Sequence, residues 1–179
     1  MPGTLVTRTC ADSLEVPIRK LSPIMTVRRS TARVLPVDPD GRTLLIQGWD
    51  PLRPSDRYWF TVGGGAHRDE PLRTAAVREM REEVGLTLDE SLLGSPLEAR
   101  SSIEWTQLGV RVVQDQEYYA VAVPAGTQVC FDGMHWVERL TVRRHAWLLP
   151  EELEADPVRS ADPRLPELMR LAVAAVGER

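Results

Sequence analysis

The sequence predicts an α/β-type sandwich, and three observations carry the prediction. β-like runs bounded by turn residues recur from Thr31 to Leu148. A fully punctuated helix interrupts them at Pro71–Val84, and a second apolar helical stretch closes the chain at Pro166–Val176. Strands interleaved with helices bury their apolar faces most simply as a sheet covered by helices. The 179 residues suit one domain, and a 42% apolar share beside 27% charged residues suits a soluble chain with a core.

Residues 1–24 have no period, scatter Pro2, Pro17 and Pro23 among polar residues, and read as a poorly ordered N-terminal extension to one domain over 25–179. Thr31–Val37 is the first strand, Asp38-Pro39-Asp40-Gly41 its turn and Thr43–Gln47 the returning strand. Pro51–Asp56 reads as a polar loop leading to a short aromatic strand at Tyr58–Val62. Gly63-Gly64-Gly65 then precedes the helix. Pro71 in the first turn, Asp69 and Glu70 at the positive end and Gly85 after the last turn are its punctuation. Strands are expected at Ala99–Trp105, Val110–Val113, Glu117–Val123 and Leu140–Leu148, with a short helix at Pro150–Leu153 before the closing one.

Composition excludes several classes. A formal charge of −4 gives no basic footprint for duplex nucleic acid. No apolar run approaches the roughly 18 residues of a membrane span, and no basic start with an apolar stretch marks a signal peptide. Cys10 and Cys130 make neither a disulfide framework nor a zinc-type pair, so they read as free thiols in a reducing cytoplasm. His67, His135 and His145 lack ligand spacing.

Chemistry concentrates on the Pro71–Val84 helix. Leu72, Ala76, Met80 and Val84 recur every four residues and face a core. Glu79, Glu82 and Glu83 gather three carboxylates on one side of a turn, where they repel by roughly 0.2–0.5 kcal/mol per pair unless water screens them or a divalent cation sits among them. An all-oxygen set prefers a hard ion, Mg²⁺ or Mn²⁺. Arg78 can hold Glu82 one turn on, and the glycines let backbone run close to a ligand, with a carbonyl free to join a metal.

From Gly64 the chain runs through five residues to Glu70, through seven more to Arg78-Glu79-Met80, and on through Glu82-Glu83 to Gly85-Leu86. This resembles the Nudix box, G-x5-E-x7-R-E-U-x-E-E-x-G-U with U bulky and apolar, at every fixed position. Chance agreement is on the order of 10⁻⁹ per start point at ordinary residue frequencies. The resemblance covers roughly 27–155, including the lead-in hairpin at 38–47, Tyr58-Trp59-Phe60, and Trp147 with Pro150–Leu153. Two positions depart from the pattern: Val62 stands where a proline often precedes the glycines, and Asp69 where a glycine often precedes the first glutamate.

The resemblance implies a mixed β-sheet between helices and Mg²⁺-dependent hydrolysis of a nucleoside diphosphate linked to another moiety. Glu79 and Glu83 would be the principal metal ligands, Glu82 would join them or hold a metal-bound water, and the Gly64 carbonyl would complete the protein share. Glu70, Arg78 and Gly85 would be structural. The cation would stabilise the diphosphate while a glutamate takes a proton from the attacking water. Glu79 or Glu82 is favoured as that base over the downstream Glu117 and Glu138. Arg33, Arg53 and Arg57 are candidates for a phosphate contact, and Trp49, Trp59 and Trp105 for stacking on a base. No marker of a particular substrate is present: Ser101 and Ser102 stand where an ADP-ribose hydrolase would carry proline. The expected partner is a small nucleotide-type substrate, with no duplex nucleic acid and no membrane. A homodimer is left open.

Two rivals are weaker. A nucleotide-sensing module of the same fold would be expected to have lost carboxylates, and here all are intact. An isomerase of the isopentenyl diphosphate type needs a cysteine nucleophile, and neither Cys10 nor Cys130 is placed for one.

Overall fold

In the computed structural model, which describes residues 25–50, 53–107 and 110–178, a mixed seven-stranded sheet lies between helices. The elements are β1 (Met25–Val37), β2 (Thr43–Asp50), β3 (Arg53–Phe60), α1 (Leu72–Val84), a short 3₁₀ turn (Glu90–Leu92), β4 (Glu98–Gln107), β5 (Val110–Ala122), α2 (Trp136–Thr141), β6 (Val142–Leu148), α3 (Pro150–Ala155), β7 (Arg159–Ser160) and α4 (Leu165–Gly177). The strand order is β4-β5-β1-β2-β3-β7, with β6 on the other edge of β2. Residues 1–24, expected as a loose extension, lie outside the described residues. Among the described residues no helix is long and apolar enough to cross a membrane.

The strand period sorts side chains into two cores. Ala32, Val34, Leu44, Ile46, Tyr119 and Val121 face α1, where Ala75, Ala76, Met80 and Val84 meet them. Leu35, Val37, Leu45, Trp59, Tyr118 and Ala120 face α3 and α4, meeting Leu153, Leu165, Leu168, Met169 and Ala172. β1 is apolar on both faces from Val34 onward because helices cover both. Its parallel pairing with β5 runs from Met25↔Val110 to Val37↔Ala122.

β1 and β2 meet only at the hairpin, Val37↔Thr43. Asp38 Oδ1 closes that turn by accepting from the N–H groups of Asp40 (3.0 Å) and Arg42 (2.8 Å). Beyond it the strands part. β2 continues against β3 and β6, while β1 pairs with the segment after β3, at Val34↔Val62 and Thr31↔Gly65. That parting opens the cleft described below.

Several expected boundaries move. β1 begins at Met25 rather than Thr31, since β5 supplies a partner along its whole length. The expected loop at 51–56 is strand from Arg53, held to β2 by Asp50↔Arg53 across a bulge and by ion pairs of Arg53 with Asp50 and Asp56. Val110–Val113 and Glu117–Val123 are one strand, whose polar centre faces the cleft through Gln114 and Gln116 and pairs Asp115 with Arg28 outside. Leu140 and Thr141 end a helix rather than start a strand; pairing with β2 stops at Gly48↔Val142. α1 matches its expected span, with Pro71 as N-cap and Gly85 closing it at φ 73. Asp69, in the place of the usual glycine, has φ 62, a left-handed conformation that Asp tolerates better than most residues.

Candidate active site

The carboxylates stand where α1 passes under the segment stitched to β1. Gly63 has φ 126, and a Cβ there would lie 2.1 Å from the Ala32 carbonyl oxygen, so only glycine allows this close approach. Its N–H donates to Glu83 Oε2 at 2.7 Å, and its carbonyl accepts from Arg33 Nη1 at 2.5 Å. The Gly64 carbonyl accepts from the Ala32 N–H at 3.1 Å, keeping its second lone pair. A Cβ on Gly64 would fall 2.6 Å from Glu79 Oε1, so the absence of a side chain is what seats Glu79 here.

Arg78 organises the rest. Its Nε and Nη2 hold both oxygens of Glu70 at 3.0 Å each, Nη2 also reaches the Gly65 carbonyl at 3.0 Å, and Nη1 donates to Glu79 (2.7 Å) and Glu82 (3.2 Å). Glu70 completes the loop by accepting the His67 N–H at 2.8 Å. One guanidinium thus ties the glycine loop to the helix, as a bidentate fork can and an ammonium cannot.

The electrostatics separate structural from reactive groups. Arg78, followed by the His67 N–H, draws the Glu70 carboxyl down to about 2. Burial pushes Glu83 up to about 8 against the pull of the Gly63 N–H and Arg33, with Glu79 and Glu138 adding to the rise. Burial also raises Glu79, although Arg78 opposes it. For both Glu83 and Glu79 the fold therefore disfavours the ionised form, which a bound positive charge would restore. Among the described residues no three His, Cys, Asp or Glu side chains form a ready metal cage: Arg78 bridges Glu79 and Glu82, while Glu83 turns to Gly63.

A cleft opens over this arrangement. Its first part, about 310 Å³, is lined by Gly63, Gly64, Gly65, Glu83 and Glu138 with Arg29 and Arg33 opposite. Its second, about 430 Å³, extends past Arg33, Tyr58 and Phe60 toward Gln116, Tyr118 and Asp162. The expected site residues thus divide. Gly64, Glu83, Arg33 and Glu138 line the cleft, Glu79 sits beside Gly64, Glu70 and Glu82 share the Arg78 guanidinium with Glu79, and Gly85 terminates the helix. Glu117 does not join them; it accepts from the Tyr119 hydroxyl on the α1 side of β5. Trp59 is a correction: it is fully buried in the α4-side core with Arg144 over its ring, so it offers no face to a ligand, and Tyr58 and Phe60 beside it line the cleft instead. Arg53 is engaged with Asp50 and Asp56, and Arg57 lies on another surface with Ser55 and Pro157.

Sequence reasoning passed over Gly63 as a separate partner of Glu83, and also Gln114, Gln116 and Asp162. The available signal for the glutamines was two amides at i, i+2, on the same face as Tyr118, between two apolar runs.

The NUDIX domain family model matches residues 27–169. No curated protein matches the chain. Solved structures share its fold. A dihydroneopterin triphosphate pyrophosphohydrolase of E. coli is 19% identical with a TM-score of 0.57, over 83% of this chain and 98% of that one. A MutT protein of Methanosarcina mazei is 16% identical with a TM-score of 0.55, over 81% and 92%. A C. elegans Ap4A hydrolase is 17% identical with a TM-score of 0.53, over 82% and 96%.

Proposed function

The chain belongs to the NUDIX family, and on that premise we propose that it is a Mg²⁺-dependent hydrolase cleaving the phosphoanhydride bond of a nucleoside diphosphate derivative. The observation that carries this reading is the pair Glu79 and Glu83: two carboxylates set against a glycine loop, both with proton affinity raised by burial. Two of the proteins sharing its fold are named for hydrolysis of Ap4A and of dihydroneopterin triphosphate, which supports the substrate class.

The donor set fits a hard cation. Glu79, Glu82, Glu83 and the remaining lone pair of the Gly64 carbonyl supply only oxygen, and a divalent charge would offset the burial that lifts Glu79 and Glu83; Mn²⁺ would substitute. Bound there, the ion supplies charge neutralisation for the diphosphate and acidifies water for attack in line at phosphorus.

The chain's own groups do the rest. Arg33, at the junction of the two parts of the cleft, puts a guanidinium where a phosphate would lie, while its hydrogen bond to Gly63 fixes the loop. Glu79 or Glu82 is the favoured base, and burial raises the proton affinity of Glu79. Arg78 keeps these side chains on the cleft side of the helix. A cytoplasmic location accords with this substrate class.

The test is phosphate release, coupled through a phosphatase, from canonical and oxidised nucleoside triphosphates, ADP-ribose, nucleotide sugars, NADH and dinucleoside polyphosphates. Each is assayed with Mg²⁺, with EDTA and with Glu83→Gln. A Mg²⁺-dependent signal lost in the variant is expected. Silence across the panel, with nucleotide still stabilising the fold, would replace the hydrolase by a nucleotide-sensing module.

A further inference from the structure

Past the carboxylates, the 430 Å³ part of the cleft has a polar wall that hydrolysis does not use. Gln114, Gln116 and Tyr118 reach it in the i, i+2, i+4 alternation of β5. Tyr58 and Phe60 from β3, with rings 5.8 Å apart, form another side, and Ala161, Asp162 and Leu165 close the end. Both glutamines are 4% exposed. Amides buried to that degree are costly unless their remaining donors and acceptors find partners.

Hydrogen bonds fix which way each amide points. Tyr118 Oη lies 2.9 Å from Asp162 Oδ2 and 2.7 Å from Gln116 Oε1, two acceptors for one phenolic proton. Burial works to raise Asp162, but the Arg164 N–H (2.9 Å), the Arg164 guanidinium (3.1 Å) and Tyr118 hold it below the usual range, so it is ionised. Burial and that neighbouring charge raise Tyr118, which keeps its proton. The carboxylate is the stronger acceptor and takes it. Turning the Gln116 amide by 180° then satisfies everything: Nε2 donates to the phenol oxygen, and Oε1 faces the cavity as an acceptor. Gln114 is set the opposite way. Its Oε1 accepts from Arg29 Nη2 at 3.3 Å, leaving the Nε2 end for the cavity.

We infer that this cavity is a purine pocket, in which Gln116 accepts from a base N–H and Gln114 donates to the adjacent ring nitrogen or carbonyl. The inference rests on the hydrolase reading for the substrate's direction, with phosphates toward Glu83. A purine edge carries an acceptor beside an N–H, as N7 beside N6–H₂ in adenine or O6 beside N1–H in guanine. Uracil carries O4 beside N3–H as well, so what favours a purine is the larger two-ring area it buries in a cavity of about 430 Å³. Phe60 gives the base an apolar neighbour, the Arg159 guanidinium lies 5.2 Å from the Tyr58 ring centroid at the cavity wall, and the cavity lies within the size range of small-ligand sites, about 300–1,000 Å³.

Nucleoside monophosphates are the right probe, since any nucleoside diphosphate derivative contains one and binding needs no catalysis. Calorimetric affinities of AMP, GMP, UMP and purine riboside monophosphate, which lacks any base N–H, are measured with Mg²⁺ present. AMP or GMP is expected to bind about tenfold tighter than purine riboside monophosphate, the worth of one good hydrogen bond, and tighter than UMP. Gln116→Met should abolish that ratio, with an unchanged circular dichroism spectrum and cooperative urea unfolding reporting an intact fold. Tyr118→Phe, by freeing the amide to rotate, should shrink the ratio. Equal affinities, a ratio that survives Gln116→Met, or no binding by any monophosphate would overturn the inference. Hydrolysis that depends on Glu83 without base discrimination would remove this pocket alone. Discrimination without hydrolysis would remove the enzyme and leave the pocket.

Discussion

Glu83→Gln should stabilise the metal-free protein while ending its activity. Glu83 is 7% exposed and accepts the Gly63 N–H at 2.7 Å; a glutamine amide oxygen can keep that bond. What it removes is the ionisation cost. In the unfolded chain the carboxyl titrates near 4.5, whereas in the fold burial pushes it up to about 8. At pH 7 folding must therefore take up a proton that the unfolded chain has released. A carboxyl raised in this way contributes stability that is fully present below 4.5 and lost as pH climbs to about 8. From 4.5 to 7, at 1.36 kcal/mol per pH unit, the loss is about 3 kcal/mol. The assay is urea unfolding in EDTA at pH 7 and pH 4.5. The variant should gain about 3 kcal/mol at pH 7, or roughly 6–12 °C in Tm for a chain of this size, and almost nothing at pH 4.5. A variant that loses stability at pH 7, or gains equally at both, would refute the reasoning.

Three further outcomes follow from the same geometry. Gly64→Ala would put a Cβ 2.6 Å from Glu79 Oε1; the carboxylate can swing away, so Tm should barely move while hydrolysis falls by tenfold or more, about 1.4 kcal/mol of transition-state binding. Arg78→Lys loses the fork on Glu70 and the bond to the Gly65 carbonyl, which should cost about 2 kcal/mol in urea unfolding. Glu70, lowered by Arg78 to about 2, contributes stability that is present above 4.5 and lost as pH falls toward 2. Glu70→Gln should therefore flatten the acid limb of the stability profile, read by unfolding between those values.

The α1 region was legible because several signals coincide there. The apolar stripe, the Pro71 and Gly85 punctuation and the carboxylate spacing all describe one short helix, and local chemistry sets each of them. The splay of β1 from β2 was not legible: it arises from long-range pairing of β1 with β5 and with Val62 and Gly65. For the same reason Gln114-Asp115-Gln116 resembled a break between two strands, although those residues line a cleft on one face and reach Arg28 on the other. Trp59 shows the opposite limit. An aromatic strand announces that rings will be used, but β2 register decides which face each ring takes, and Gln47↔Trp59 turns this one into the α4-side core. Glu117 and Glu138 looked equivalent in sequence; the strand parity of one and the helix of the other put only Glu138 on the cleft.

Cleavage in ¹⁸O-labelled water tests the central claim most directly. Using the substrate that the nucleotide panel selects, mass spectrometry of the products should find one ¹⁸O on a phosphate for each bond cut, with label and turnover lost together in EDTA and in Glu83→Gln. Turnover that survives in EDTA or in Glu83→Gln, or products carrying no label on phosphorus, would contradict it.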